Sequence, residues 1–165
     1  KHLDPIGLLM MLTVHFGWAK PVPVNMYRFR NPKRGMAVTA LAGPACNLLI
    51  TVALLFVYGL LYRFLSGGEA GDTVLELVEI TAYMSLGLCI FNLLPIPPLD
   101  GSKVLFSVLS DPAYRKLMRY EKYGSVLLLA LVWSGVLGTP LSKAIRSVYT
   151  FLFPIARTAF RLTGG

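Results

Sequence analysis

Residues 92–101 read NLLPIPPLDG and hold the carboxylate of Asp100, the group in this chain best placed to do chemistry. Asp100 follows a run, residues 80–99, that contains no charged residue, and Asn92 lies eight positions before it. An ionisable group at the edge of an apolar segment is by default a candidate functional group. An aspartate here could also cap the helix predicted by the following residues, GSKVLFSVLS. The spacing alone leaves both roles open.

The prolines of this stretch must interrupt the helix that precedes them. Pro95, Pro97 and Pro98 donate no backbone hydrogen bonds, so that helix must end near Leu94. Non-helical backbone at membrane depth persists only where protein buries it or where it lines a wet cavity. We therefore expect the break to be enclosed in one of these ways, with Asp100 beside it near the cytoplasmic surface.

The composition predicts that membrane helices position these residues. Of the 165 residues, 55% are hydrophobic and only 15% are charged, whereas soluble domains carry about 25% charged residues. Residues 36–62, 80–99 and 123–142 are uncharged, and each run is long enough to cross a bilayer as a helix. Residues 143–160, interrupted by Pro154, predict an interfacial or short fourth helix. The fold class is therefore an all-α membrane protein with about three transmembrane helices.

The first run contains a stretch suited to close helix packing. Residues 42–47 read AGPACN, in which Gly43 precedes Pro44 and Asn47 ends the stretch. Small residues let helices approach closely in lipid, and Asn47 should face protein because an unpaired amide in hydrocarbon is costly. We expect Leu55, further along the same run, to face lipid.

The part of the chain before this run predicts a different environment. We expect residues 1–35 to form a cytoplasmic or interfacial segment and residues 36–165 to form the membrane core with its C-terminal helices. Val22, Val24 and Met26 alternate with a period of two beside two prolines. This pattern predicts a small edge strand.

The charge of +8 is explained by membrane topology. Loops rich in Lys and Arg stay in the cytoplasm, and four acidic residues lie between the first two runs, within residues 66–79. The first span should then run outward and the second inward. We expect a multi-pass protein of a cell membrane of the bacterial plasma-membrane type, with membrane lipids as partners and no nucleic acid. The basic residues lie before the first run (Lys20, Arg28, Arg30, Lys33 and Arg34) and after the second (Lys103, Arg115, Lys116, Arg119 and Lys122).

The stretch NLLPIPPLDG resembles the Asn-x-x-Pro-x-x-Pro-x-Asp-Gly motif of site-2 proteases, the intramembrane zinc metalloproteases of peptidase family M50. HLDPIG, FGWAKPVPVN and AGPACN resemble the same family in the same order. The resemblance implies a Zn²⁺ cofactor bound by Asp100, and an Asn92 that contacts the substrate carbonyl or oxyanion. It also implies that Pro95, Pro98 and Gly101 belong to the motif, and that the substrates are transmembrane proteins or peptides.

The chain departs from the family pattern in its histidines. The family's other two zinc ligands and its general base lie on a His-Glu-x-x-His helix, and no such motif occurs in these 165 residues. We expect the two missing ligands to lie upstream of Lys1 and this chain alone to be inactive. His2 could be proposed as a substitute ligand but fits a polar turn, and His15, next to Phe16, fits a packed or interfacial position.

Two other functions remain open at this point. One is a non-catalytic membrane relative that acts as a binding or scaffold protein. The other is a small transporter subunit in which Asp100 relays protons. The transporter hypothesis predicts a second ionisable residue deep in a span. The uncharged runs that define the predicted spans contain no such residue. The sequence leaves the substrate and the oligomeric state open.

Overall fold

The computed structural model describes residues 29–164, apart from the side chains of residue 115 and residues 118–122. These residues form six helices and no strand, which confirms the all-α fold class. The edge strand predicted at Val22, Val24 and Met26 lies outside the described residues. The helices are α1 (Pro32–Leu65), α2 (Glu69–Asn92), α3 (Asp100–Ser107), α4 (Asp111–Trp133), α5 (Gly138–Leu152) and α6 (Pro154–Leu162).

The chain divides into two compact units, Lys1–Pro32 and Lys33–Gly165. All six helices belong to the second unit, except that Pro32, the first residue of α1, belongs to the first unit. The roles predicted for residues 1–35 and 36–165 stay predictions.

Two of the described helices, α1 and α2, are each long and apolar enough to cross a membrane. A third span is present if Gly124–Trp133 and Gly138–Leu162 are taken together, but this pair is bent by 87°. The predicted third span, residues 123–142, is therefore not straight. Gly135 lies in the bend with a φ of 72°, a conformation that glycine adopts without steric cost.

The connection between α1 and α2 is much shorter than the predicted outer loop of residues 66–79. Helix α2 begins at Glu69, so residues 69–79 are helical and only residues 66–68 connect the two helices. Glu69 and Asp72 lie in the first turn of α2, where negative charge is favourable to the helix dipole. Asp72 also accepts a hydrogen bond from the backbone N–H of Gly67 at 3.1 Å.

Polar contacts between small side chains and backbone join α1 to α2. The hydroxyl of Ser85 donates to the backbone carbonyl of Asn47 at 2.9 Å. The fully buried hydroxyl of Thr51 also donates to Asn47 at 2.9 Å and lies 3.3 Å from the carbonyl of Ala82. Asn47 is half-buried, and it reaches α2 through its main chain.

The central core joins both spans to the C-terminal helices. Leu55 of α1, Ala82 of α2 and Ala156 of α6 are buried together, and Tyr149 and Phe153 pack against them. Leu55 has no exposed surface, so the expectation that it faces lipid is wrong. Apolar residues that face protein and those that face lipid look alike in sequence, because lipid tails are as apolar as leucine.

Candidate zinc-ligand site at the proline break

Helix α2 ends at Asn92 and α3 begins at Asp100, which places both candidate site residues at the two ends of the proline break. The predicted end near Leu94 lies two residues beyond the observed end at Asn92. Several backbone N–H groups of the break are satisfied locally. Leu94 donates to the carbonyl of Phe91 at 3.1 Å and Leu99 donates to that of Ile96 at 2.9 Å. The Pro97–Pro98 peptide bond is cis.

The carboxylate of Asp100 does not cap the helix that it begins. The residue before the helix is Leu99, and the helix start has no side-chain capping hydrogen bond. The carboxylate is one-third exposed, and its Oδ1 lies 3.5 Å from Nζ of Lys103. A partly exposed pair of this kind contributes little to stability. The charge of Asp100 in the first turn is favourable to the helix dipole of α3, but no capping hydrogen bond holds the carboxylate at the helix start.

Helix α1 brings its small-residue stretch next to Asp100. A Cβ added at Gly43 would lie 3.5 Å from Oδ2 of Asp100. Gly43 itself is exposed, whereas the neighbouring Pro44 is buried. Two of the motifs that carry the resemblance, AGPACN and NLLPIPPLDG, thus lie close together. Their spacing in the sequence did not predict this proximity.

Two glycines let neighbouring helices pack directly against the break. A Cβ at Gly101 would lie 2.6 Å from the carbonyl oxygen of Leu94, and a Cβ at Gly124 would lie 2.6 Å from that of Pro97. Such distances are too short for any side chain. Helices α3 and α4 therefore cover part of the break, as non-helical backbone in a membrane requires.

Gly124 was not among the residues singled out from the sequence. The available signal was an isolated glycine inside a helical pattern, which often marks close packing. Asn92 is half-buried at the last position of α2, and Pro95 and Pro98 are exposed within the break.

The described residues do not by themselves form a zinc site. No group of three His, Cys, Asp or Glu side chains in the described part of the chain is arranged to hold a metal ion, whereas a hydrolytic zinc needs three protein ligands. Asp100 supplies one oxygen of a type that zinc accepts. Cys89 is buried and Cys46 is exposed, both as free thiols. His2 and His15 lie outside the described residues.

A second carboxylate contact lies at a residue that the sequence places in the outer loop, Glu79. Glu79 lies well inside α2, and its Oε1 accepts a hydrogen bond from the Tyr149 hydroxyl of α5 at 3.1 Å. The ring of Tyr83 meets that of Tyr149 edge-on, with centroids 5.3 Å apart. An ionisable residue therefore does lie within a candidate span, contrary to the sequence-based expectation.

Comparisons with known proteins point to one peptidase family, and the matched range covers the proline break. Residues 61–135, which include Asn92 and Asp100, match the model of peptidase family M50. "Putative zinc metalloprotease YwhC" of Bacillus subtilis (strain 168) is 36% identical over 135 residues, which are 79% of this chain and 61% of the relative. No solved structure matches the chain significantly.

Two further relatives carry names of the same kind. "Putative zinc metalloprotease MJ0611" of Methanocaldococcus jannaschii is 34% identical over 102 residues, 61% of this chain and 49% of the relative. "Putative zinc metalloprotease Rip2" of Mycolicibacterium smegmatis is 33% identical over 103 residues, 60% of this chain and 36% of the relative. The chain spans less than two thirds of each of these three relatives.

Proposed function

Since this chain belongs to peptidase family M50, we propose that it forms part of the core of an intramembrane zinc metalloprotease. The protein is multi-pass in the cell membrane, and its substrates are membrane-embedded protein segments whose peptide bonds it hydrolyses. The observation that carries this proposal is the position of Asp100. Its carboxylate follows the proline break directly and lies against Gly43 of α1, without a capping role.

In this proposal Asp100 is one of three zinc ligands. The other two are histidines of a His-Glu-x-x-His helix, which is not among these 165 residues. When bound, such a zinc ion polarises the scissile carbonyl and lowers the pKa of its bound water. The name "zinc metalloprotease" carried by the relatives supports this cofactor.

The residues around Asp100 hold its carboxylate in place. Gly101 and Gly124 fix the break by direct backbone contact, so the start of α3 has little freedom to move. Gly43 has no side chain to cover Oδ2 of Asp100. A ligand held by packed elements keeps the narrow geometry that a metal site needs.

Asn92 serves the substrate in this proposal. Its side-chain amide donates a hydrogen bond to the scissile carbonyl and to the oxyanion that develops from it. Donors aimed at developing charge contribute strongly to catalysis in a water-poor site. The half-buried position of Asn92 at the edge of the break supports this role.

The test is Asp100→Asn in a protein that carries this chain together with the His-Glu-x-x-His helix. We expect cleavage of a transmembrane substrate to be lost and bound zinc to fall, because a neutral amide is a poor zinc ligand. Proteoliposome cleavage assays and metal analysis measure the two effects. The matched control is Asp72→Asn, which changes a first-turn aspartate at the other end of α2. Full activity of Asp100→Asn would show that Asp100 is not a zinc ligand.

The same variant separates the two alternative functions. A scaffold protein would contain no zinc and would keep its partners in Asp100→Asn. A transporter subunit, which Glu79 inside α2 makes worth testing, would lose ion flux in both Asp100→Asn and Glu79→Gln. If the protein is a protease, Glu79→Gln should fold normally, retain bound zinc and cleave the substrate at the wild-type rate.

A further inference from the structure

A groove lies along the contact between the ends of α1 and α6 and has no part in the proposed metal site. It encloses about 430 Å³. Its lining includes the aromatic rings of Tyr58, Tyr62, Phe153 and Phe160 and two basic side chains, Arg157 and Arg161. An apolar floor with a cationic rim fits an amphiphile that carries an anionic head.

Small residues let the two helices touch, and aromatic side chains beside this contact form the walls of the groove. At Gly59 an added Cβ would lie 2.8 Å from the Cβ of Ala159. The rings of Tyr62 and Phe160 meet edge-on at a centroid distance of 5.8 Å, and those of Tyr58 and Phe153 are 6.4 Å apart. These packed rings give the groove fixed apolar walls.

The charged side chains that line the groove are both basic. Neither α1 nor α6 contains an acidic residue. Arg157 and Arg161 are four positions apart, so they lie on one face of α6, and both are exposed. The guanidinium of Arg157 lies 5.8 Å from the centre of the Phe153 ring, a contact that orients it beside the apolar wall.

The groove lies at the end of the apolar run of α1, where we expect the bilayer to meet water. Tyr62 ends the uncharged run of α1, and Arg63 follows it directly. Tyr side chains are enriched at the level of lipid headgroups. Arg63 also donates to the carbonyl of Thr163, which fixes the end of α6 to the end of α1.

From these contacts we propose that the groove between α1 and α6 binds one anionic phospholipid. Its phosphate is held by Arg157 and Arg161, and an acyl chain lies against the aromatic walls. Guanidinium groups bind phosphate oxygens through paired hydrogen bonds. The site is independent of the proposed protease function, because its lining includes neither Asp100 nor any residue of the proline break.

The test measures lipid retained by the protein when it is purified from vesicles of phosphatidylcholine mixed with phosphatidylglycerol. We expect wild-type protein to keep phosphatidylglycerol in preference to phosphatidylcholine, as seen by native mass spectrometry. The variant Arg157→Gln/Arg161→Gln should hold it about 30-fold more weakly, since one basic side chain near anionic lipid is worth roughly a fivefold change. The variant Arg157→Lys/Arg161→Lys should recover part of this loss.

The control is Lys143→Gln/Arg146→Gln, which removes two exposed charges from α5 without touching the groove. We expect this control to retain phosphatidylglycerol as wild type does. An equal loss in both double variants would overturn the site, because lipid retention would then not depend on the charges of this groove in particular. Complete displacement of the lipid by inorganic phosphate would also overturn it, because the aromatic walls would then contribute nothing.

Discussion

At the scale of single residues, Asn92 gives the sharpest test of the proposed chemistry. Asn92→Ala should keep zinc and slow cleavage by about 10²- to 10³-fold, the usual loss for one oxyanion donor. Cleavage rates in proteoliposomes and metal analysis of the same sample measure the two quantities. Asn92→Gln, which keeps an amide, should lose less activity than Asn92→Ala. A parallel loss of zinc in Asn92→Ala would instead assign Asn92 to the structure of the metal site.

The roles of Asp100 and Asn92 stay predictions, whereas the structure shows the surroundings of both residues. An ionisable group at the end of an apolar run makes Asp100 stand out in the sequence, but the proposed roles of Asp100 and Asn92 depend on the resemblance to the site-2 protease motif. The contact between Gly43 and Asp100 could not be predicted, because it depends on how two distant helices cross. The prediction that Leu55 faces lipid is wrong for a related reason. In a bilayer both the buried and the lipid-facing sides of a helix are apolar, so the sequence does not distinguish them.

At the scale of elements, the start of α2 shows why charge alone misplaces a helix end in a membrane protein. Four acidic residues suggested a loop, yet two of them lie in the first turn, where they favour the helix. Glu79 lies further inside and is paired with Tyr149. A carboxylate that finds a hydrogen-bond donor on another helix costs less in the bilayer than an unpaired one. The sequence does not reveal such a partner on α5.

Because α1 and α6 pack closely at Gly59, adding one methyl group there should lower the stability of the protein. Gly59→Ala should destabilise the protein by about 1 to 3 kcal/mol, the usual cost of overpacking, because the new Cβ would meet the backbone of Ala156. The control is Gly87→Ala on α2, where the nearest atom, Cδ1 of Ile145, is 3.6 Å away. Thermal unfolding in detergent micelles compares the two variants. Equal midpoints would contradict the close contact at Gly59.

At the scale of the whole molecule, the number of spans depends on the last three helices. The sequence predicted three spans, and the described residues provide two, with a third if the bent pair after Gly124 is one span. The bend lies at a short stretch that contains Gly135, and the apolar character continues on both sides of it. Hydrophobicity therefore detected the segment but could not detect the change of direction.

The orientation of the bundle decides on which side of the membrane Asp100 lies. The basic residues that flank the two spans predict that residues 101–122 face the cytoplasm and that residues 66–68 face outward. Two exposed positions report on these faces, Gly68 in the connection and Lys116 on α4. Gly68→Cys and Lys116→Cys should be made in protein that carries Cys46→Ala and Cys89→Ala, so that each variant has a single thiol.

In intact cells, a membrane-impermeant thiol reagent should label Gly68→Cys and leave Lys116→Cys unlabelled. After the membrane is opened, both should react, which shows that the thiol of Lys116→Cys is accessible in the fold. Asp100 begins α3 at the opposite end of α2 from Gly68, so this result would place its carboxylate near the cytoplasmic surface. Labelling of Lys116→Cys in intact cells would show the opposite orientation. The proposed cleavage site would then lie toward the outer face.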